Sequence, residues 1–160
     1  ILEKGGGHKM AGGFTIKQKN IPVFRETLIK NFEKKFSNSS KDVNLYLDSI
    51  IAPSALNEKF LEEVNYLGPF GSGNTEPKFV IENLKVVTSN LAGKSHIISI
   101  LSGKDGTTFK SFLWNGKNTP LEPYLNKKYK KRINIAGRMK LNEWRGKKSV
   151  EFIIEDISLN

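Results

Sequence analysis

RINIAGRMKLNEWRGKKSVEFIIEDI, Arg132 to Ile157, decides how this chain is read. RINIAGRMKL and SVEFIIEDI are β-branched runs, and Asn142-Glu143-Trp144-Arg145-Gly146 between them has the composition of a turn. Two strands joined by a short turn make a hairpin. Working outward toward the N-terminus, FVIENLKVV, HIISILSG and TTFKSFLW are three more runs of the same kind. A second hairpin turn is expected at Ser102-Gly103-Lys104-Asp105-Gly106. Five strands in about 80 residues suit a small closed barrel better than a sandwich, which needs about seven. The longest gap, Asn115 to Tyr129, falls between the third and fourth strands. A five-stranded OB-type barrel carries a short helix or loop at that place.

The first half reads differently. Phe14-Thr15-Ile16 ends a short strand, and Asn20 is a helix N-cap with Pro22 in the first turn. Phe24, Leu28, Phe32 and Phe36 recur every four residues, with Ile21 and Ile29 nearby, which predicts an amphipathic helix of roughly 15 residues. Ser37-Asn38-Ser39-Ser40 is a polar loop. Val43 to Ile51 reads as a strand. A second helix carries Leu56, Phe60, Val64 and Leu67 on one face and stops at Gly68-Pro69. LGPFGSGNTEPKF, Leu67 to Phe79, is too rich in proline and glycine to continue either element, so a domain boundary is expected there.

Composition narrows the classes. The chain has 160 residues, 38% hydrophobic and 26% charged, which describes a folded chain of one ordinary domain or two small ones. No apolar run approaches the roughly 18 residues of a membrane helix, and no secretory leader is recognisable. Cysteine is absent, which excludes disulfides and thiolate metal sites and is compatible with a reducing cytoplasm. The first residue is Ile1 rather than Met, so a fragment or a processed chain is expected.

The formal net charge is +10, and its distribution is uneven. Residues 127–148 hold 10 basic groups and one acidic group. These are Lys127, Lys128, Lys130, Lys131, Arg132, Arg138, Lys140, Arg145, Lys147 and Lys148, interleaved with Tyr129 and Trp144. Grooves for single-stranded nucleic acid combine such cations with aromatic platforms. The competing reading is a solvated edge strand blunted by lysines. Trp144 is open to both packing on the barrel and stacking on a base.

GGGHKMAGG, Gly5 to Gly13, places five glycines around His8. Glycines let backbone N–H groups approach an anion, and a neighbouring histidine can donate to a phosphate oxygen. The alternative is a flexible loop with an incidental histidine. The stretch is neither a Walker loop nor a dinucleotide fingerprint. Only two histidines exist, His8 and His96. His96 sits in an apolar run and reads as a packed residue. Asp42, Asp48, Glu62 and Glu63 have no histidine partner, and Ser102 and Ser111 have no nearby base. Two-metal hydrolysis needs converging Asp and His ligands, and none is recognisable.

Three stretches together resemble the C-terminal part of RecJ-type single-strand-specific exonucleases, in the DHH superfamily of phosphoesterases. GGGHKMAGGFT resembles the glycine–histidine motif of the DHH-associated domain. LGPFGSGNTEPKF resembles the connector into the family's OB-fold, and GRMKLNEWRGKKSVEFIIEDI resembles its closing hairpin. Ala11-Gly12 stands where the family pattern has two alanines, and Asn74-Thr75-Glu76-Pro77 where it has Asn-Pro-Glu-Pro. Neither departure removes a side chain that does chemistry.

The resemblance implies an α+β chain: part of a DHH-associated subdomain over 1–67, a connector over 68–77, and a five-stranded OB-fold β-barrel over 78–160. It implies a parent enzyme that degrades single-stranded DNA 5′→3′ in repair and recombination, in the cytoplasm. Mn²⁺ or Mg²⁺ would be held in a catalytic domain N-terminal to this chain, leaving this part non-catalytic with no metal of its own. By position, Gly6, Gly7 and His8 would hold a substrate phosphate, and the basic window with Trp144 would grip the strand. The implied partners are single-stranded DNA, the catalytic domain and DNA-repair proteins, with no membrane. Two other readings stay open: a phosphoesterase for short oligonucleotides or cyclic dinucleotides, and an OB-fold protein-interaction module.

Overall fold

The structure is a computed structural model that describes residues 1–8, 11–36 and 44–159. It divides into two compact units, Ile1–Asn44 and Leu45–Asn160.

In the first unit, β1 (Leu2–His8) pairs antiparallel with β2 (Ala11–Ile16), followed by α1 (Ile21–Phe36). The glycines of this stretch, Gly5 to Gly7 and Gly12 to Gly13, therefore stand on extended backbone. Gly6 faces Gly13, Gly7 faces Gly12 and His8 faces Ala11. At Gly7 a side chain has no room, because a Cβ would lie 2.5 Å from the Ala11 carbonyl oxygen and 2.7 Å from Gly12 Cα. Asn20 sits immediately before α1, and its side-chain amide donates to the Ile1 carbonyl at 3.2 Å. Phe14 meets Phe24 with ring centroids 4.7 Å apart. Leu28 and Phe32, on the expected apolar face, remain exposed. Lys9 and Met10, and the polar loop expected at 37–40, lie outside the described residues. So does Val43, the first residue of the strand expected at 43–51, of which the structure forms only β3 (Ser49–Ile50).

In the second unit, β3 lies parallel to the start of β4 (Phe79–Ala92). Between them runs α2 (Glu58–Asn65), whose N-cap Asn57 accepts from the Phe60 N–H at 2.9 Å. Its buried residues are Leu61 and Val64, which join the core of the strands that follow. Leu67, expected on that face, is exposed. This packing moves the boundary. The expected division at 67/68 separates α2 from the barrel, whereas the compact units divide at 44/45 and keep α2 with the strands it packs against. The connector is consequently an internal loop of the second unit. The Asn74 side-chain amide ties it by donating to the Leu67 and Pro69 carbonyls at 2.8 and 3.2 Å.

The five expected strands are present: β4, β5 (His96–Ser102), β6 (Thr108–Leu113), β7 (Ile133–Trp144) and β8 (Lys147–Leu159). Their hydrogen-bonded order is β4-β5-β6-β8-β7, and β7 pairs back onto β4. The sheet is thus closed. β4 serves both sides of the closure. Its first residues pair with β7 and its later ones with β5, with bulges between Ile81 and Leu84 and between Val86 and Thr88. Bulges bend a strand and sharpen its twist, which lets one strand turn the corner. The parallel contact of β6 with β8, through Ser111↔Phe152 and Phe112↔Ile153, completes the ring. This is the OB-type connectivity.

Inside, Ile81, Leu84, Leu101, Ile133, Ile135 and Phe152 are almost completely buried. Leu125, from a 3-10 turn at Glu122–Leu125 in the expected gap, closes the core. At Gly137 a bulge brings β8 so close that a Cβ would stand 1.9 Å from the Ile153 carbonyl oxygen. The β5–β6 turn is held by Asp105, whose carboxylate accepts from the Thr107 hydroxyl at 2.8 Å and its N–H at 3.1 Å. Those bonds keep its carboxyl below the usual carboxylate range, the hydroxyl contributing most. The closing turn is Arg145-Gly146, with φ of 51° and 74°. Two successive positive φ values define the hairpin turn that matches strand twist. Beyond Leu141 this hairpin leaves the barrel, and residues 143–149 are exposed on both faces.

Candidate functional site

Strand register determines which side chains share the outer surface of the barrel. Alternate residues point opposite ways. On β7 and β8 the core takes Ile135, Met139, Phe152 and Ile154. The outward set is Arg138, Lys140, Asn142 and Trp144, opposite Ile153, Glu151, Ser149 and Lys147. β6 continues the face through Lys110 and Phe112, with Trp114 just past its end, and β5 through His96 and Ile98. In barrels of this connectivity the face of the second and third strands, with the loops joining strands one to two and four to five, binds oligonucleotides and oligosaccharides. Here those strands are β5 and β6.

That face carries three rings in mutual tilted or edge-on contact. The His96 and Trp114 centroids lie 4.7 Å apart with planes at 77°, and Phe112 and Trp114 lie 4.4 Å apart at 55°. His96 and Phe112 are 5.6 Å apart. The Asn115 backbone N–H donates to His96 Nδ1 at 2.9 Å, which fixes the imidazole orientation. Trp114 is 52% exposed, so one indole surface is available. Next to it is a groove of about 270 Å³ lined by Glu76, Trp114, Arg138, Met139, Lys140 and Ile153. Ile153 is buried yet stands outside the core cluster, and forms its apolar floor.

The charges around the groove are arranged in pairs. Arg138 Nη1 donates to Glu76 Oε2 at 3.0 Å, and its Nε lies 3.7 Å from Glu155 Oε1. Glu155 is already engaged by Lys78 Nζ at 2.6 Å. Glu151, 8% exposed, accepts from Lys110 Nζ at 2.7 Å and lies opposite Lys140 across the ladder. Each carboxylate is thus met by cations.

The basic window does not form one patch. Lys127, Lys128, Lys130 and Lys131 lie in the loop ahead of β7, all of them exposed. Arg145, Lys147 and Lys148 lie at the hairpin tip, beyond the other end of that strand. At about 3.4 Å per residue, the 12 residues of β7 separate these groups by roughly 40 Å of contour. Arg138 and Lys140 occupy the middle. Lys147 falls on the face of Lys140, opposite Trp144, while Lys148 falls on the other side, opposite Glu143. Arg132 turns inward, where its Nη1 donates to the Asn83 carbonyl at the β4 bulge. Trp144 is 69% exposed, with the Arg145 guanidinium 5.8 Å from its ring centroid, so it does not pack on the barrel.

His96, expected as a packed residue, is half-buried and packs within the ring cluster against Phe112 and Trp114. Phe112, Trp114 and Lys110 are the residues the sequence reading missed. Their outward parity follows from TFKSFL only once one knows that Phe109 points in, and phenylalanines stand on both faces. Gly6, Gly7 and His8 lie in the other unit, on extended backbone. In a strand, successive N–H groups point to opposite sides, so the three do not form a cupped anion loop. Among the described residues, no cluster of three or more His, Asp or Glu side chains is arranged to hold a metal ion. Also among them, no helix is long and apolar enough to cross a membrane.

Comparison with known proteins agrees with this architecture. Residues 47–156 match the family model described as the RecJ OB domain, a match confined to the second compact unit. The chain is 26% identical over 163 aligned residues to a single-stranded-DNA-specific exonuclease RecJ of Bacillus subtilis, covering all of this chain and 20% of that protein. It is 26% identical to the protein of the same name from Thermus thermophilus, covering 98% of this chain and 21% of the other. The crystal structure of RecJ in complex with Mn²⁺ from Thermus thermophilus superimposes with a TM-score of 0.62 at 25% identity, over 99% of this chain and 22% of that one. The chain thus spans about a fifth of the length of these relatives.

Proposed function

The chain belongs to the RecJ OB-domain family, and on that footing we propose that it is the strand-holding part of a RecJ-like single-stranded-DNA exonuclease. The observation that carries this reading is the outer barrel face. It sets the Trp114 and Phe112 rings beside a groove bordered by Arg138 and Lys140, with further cations at both ends of β7. Base stacking on aromatic rings and phosphate attraction to cations are the two terms that bind single strands without reading sequence. A duplex hides its base faces and cannot use the rings.

In this reading the longer protein hydrolyses the strand 5′→3′ in the cytoplasm, during repair and recombination. In the same reading Mn²⁺ or Mg²⁺ is held by residues of the catalytic part. No hydrolytic step is assigned to the chain. Its own residues bind, orient and retain the strand, and Gly6, Gly7 and His8 line the approach of a substrate phosphate toward the catalytic part.

Fluorescence anisotropy with a labelled 15-mer over a salt series tests the reading. With about five phosphate contacts the log–log slope should be near −3.5, at roughly −0.7 per contact for single strands. A flat salt response, equal affinity for duplex, or equal affinity for a dinucleotide and the 15-mer overturns it.

A further inference from the structure

We propose that Glu76 is a resident anion in the nucleotide-sized groove, one that a strand phosphate must displace from Arg138. The inference rests on the strand-holding reading above. Glu76 and Trp114 border the same groove of about 270 Å³, so the carboxylate sits where a stacked nucleotide's phosphate would arrive. Arg138 Nη1 donates to Glu76 Oε2 at 3.0 Å. A guanidinium binds carboxylate and phosphate through the same donors. The two anions therefore compete for one seat.

Arg138 has two carboxylates, and they are not equivalent. Glu155 is the less exposed, its side chain 25% accessible, and it is held at 2.6 Å by Lys78, while its contact with Arg138 Nε is 3.7 Å. Glu155 is thus fixed to the barrel whether or not Arg138 is occupied. Glu76 is 37% accessible, and Arg138 is its ion-pair partner among the described residues. Glu76 also stands on the loop tied by Asn74, which holds it in place without Arg138. It is the exchangeable partner. Exchange of one anion for another keeps the guanidinium paired throughout. A strand can then advance through the groove without leaving a bare cation behind, at the expense of weaker binding to each nucleotide.

The test is Glu76→Gln, which keeps the size and an acceptor oxygen and removes the charge. Binding of a labelled 15-mer is measured from about 50 to about 200 mM NaCl. One phosphate contact made freely available steepens the slope by about 0.7, and quadrupling the salt then removes roughly 2.6-fold of the gain. Binding about fivefold tighter than wild type at low salt, shrinking to about twofold at high salt, supports the exchange. The gain should vanish in an Arg138→Gln background and should exceed that of Glu143→Gln, which removes a carboxylate from the hairpin tip. Affinity unchanged in Glu76→Gln, or an effect equal to Glu143→Gln or persisting without Arg138, overturns the exchange while leaving the strand-holding reading intact. If wild-type protein shows no affinity for the 15-mer at low salt, both fall.

Discussion

Replacing Trp114 with alanine should weaken single-strand binding without changing its salt dependence. The indole is 52% exposed on the outer face, and its other side is fixed by His96 at 4.7 Å and Phe112 at 4.4 Å. A ring held this way loses little freedom when a base stacks on it. Stacking on an aromatic side chain contributes about 1–3 kcal/mol per base. Phe112 remains after the substitution and retains part of the platform, which places the loss in the lower part of that range. About 1–2 kcal/mol corresponds to a loss of roughly fivefold to thirtyfold in affinity. No cation is removed, so the slope of log affinity against log salt should stay within experimental scatter. Anisotropy measures both quantities. Intrinsic fluorescence gives an independent reading, because the chain has two tryptophans and a Trp144→Phe background leaves Trp114 as the only one. Its emission should quench on binding. An affinity within twofold of wild type, or a slope shifted by about 0.7 or more, would refute a base stacked on Trp114.

Two further substitutions test the barrel. Gly137→Ala drives a Cβ to 1.9 Å from the Ile153 carbonyl oxygen, a backbone atom in the paired strand. It should cost about 3 kcal/mol or more, read as a lower urea midpoint. Arg132→Met removes the donor to the Asn83 carbonyl at the β4 bulge, so it should lower stability by about 1.5–3 kcal/mol while leaving the salt slope of strand binding unchanged. A reduced slope would show that Arg132 reaches phosphate.

Much of the barrel is legible in the chain because its strands are β-branched runs bounded by glycine turns. What the runs do not contain is pairing. β6 meets β8 about 40 residues further on, and nothing local in either announces the parallel contact. The same non-locality hides the ring cluster, since His96 and Trp114 are brought together by register and not by spacing. α2 illustrates a different gap. Its periodicity is plain, but an apolar face does not say which neighbour will cover it, and the proline-glycine connector after it is a more conspicuous landmark than the packing that decides the boundary. Glycine misleads in the opposite sense. Gly5 to Gly7 and Gly12 to Gly13 suggest a loop by composition, whereas at Gly7 the absent side chain is what lets two strands approach. Charge also reads differently in three dimensions, because 22 consecutive residues spanning β7 cannot present ten cations to one place.

The hairpin beyond Leu141 shows how this domain can diversify. Residues 143–149 are exposed on both faces and take no part in the core, while its turn asks only for two residues that accept positive φ. Substitutions or added length there leave the packing of Phe152, Ile135 and Met139 untouched. Descendants of such a barrel can therefore lengthen, recharge or blunt the tip while the scaffold stays the same. Differences between relatives in this segment would then record adaptation to the polymers each one handles, and differences in the buried strands would record ancestry.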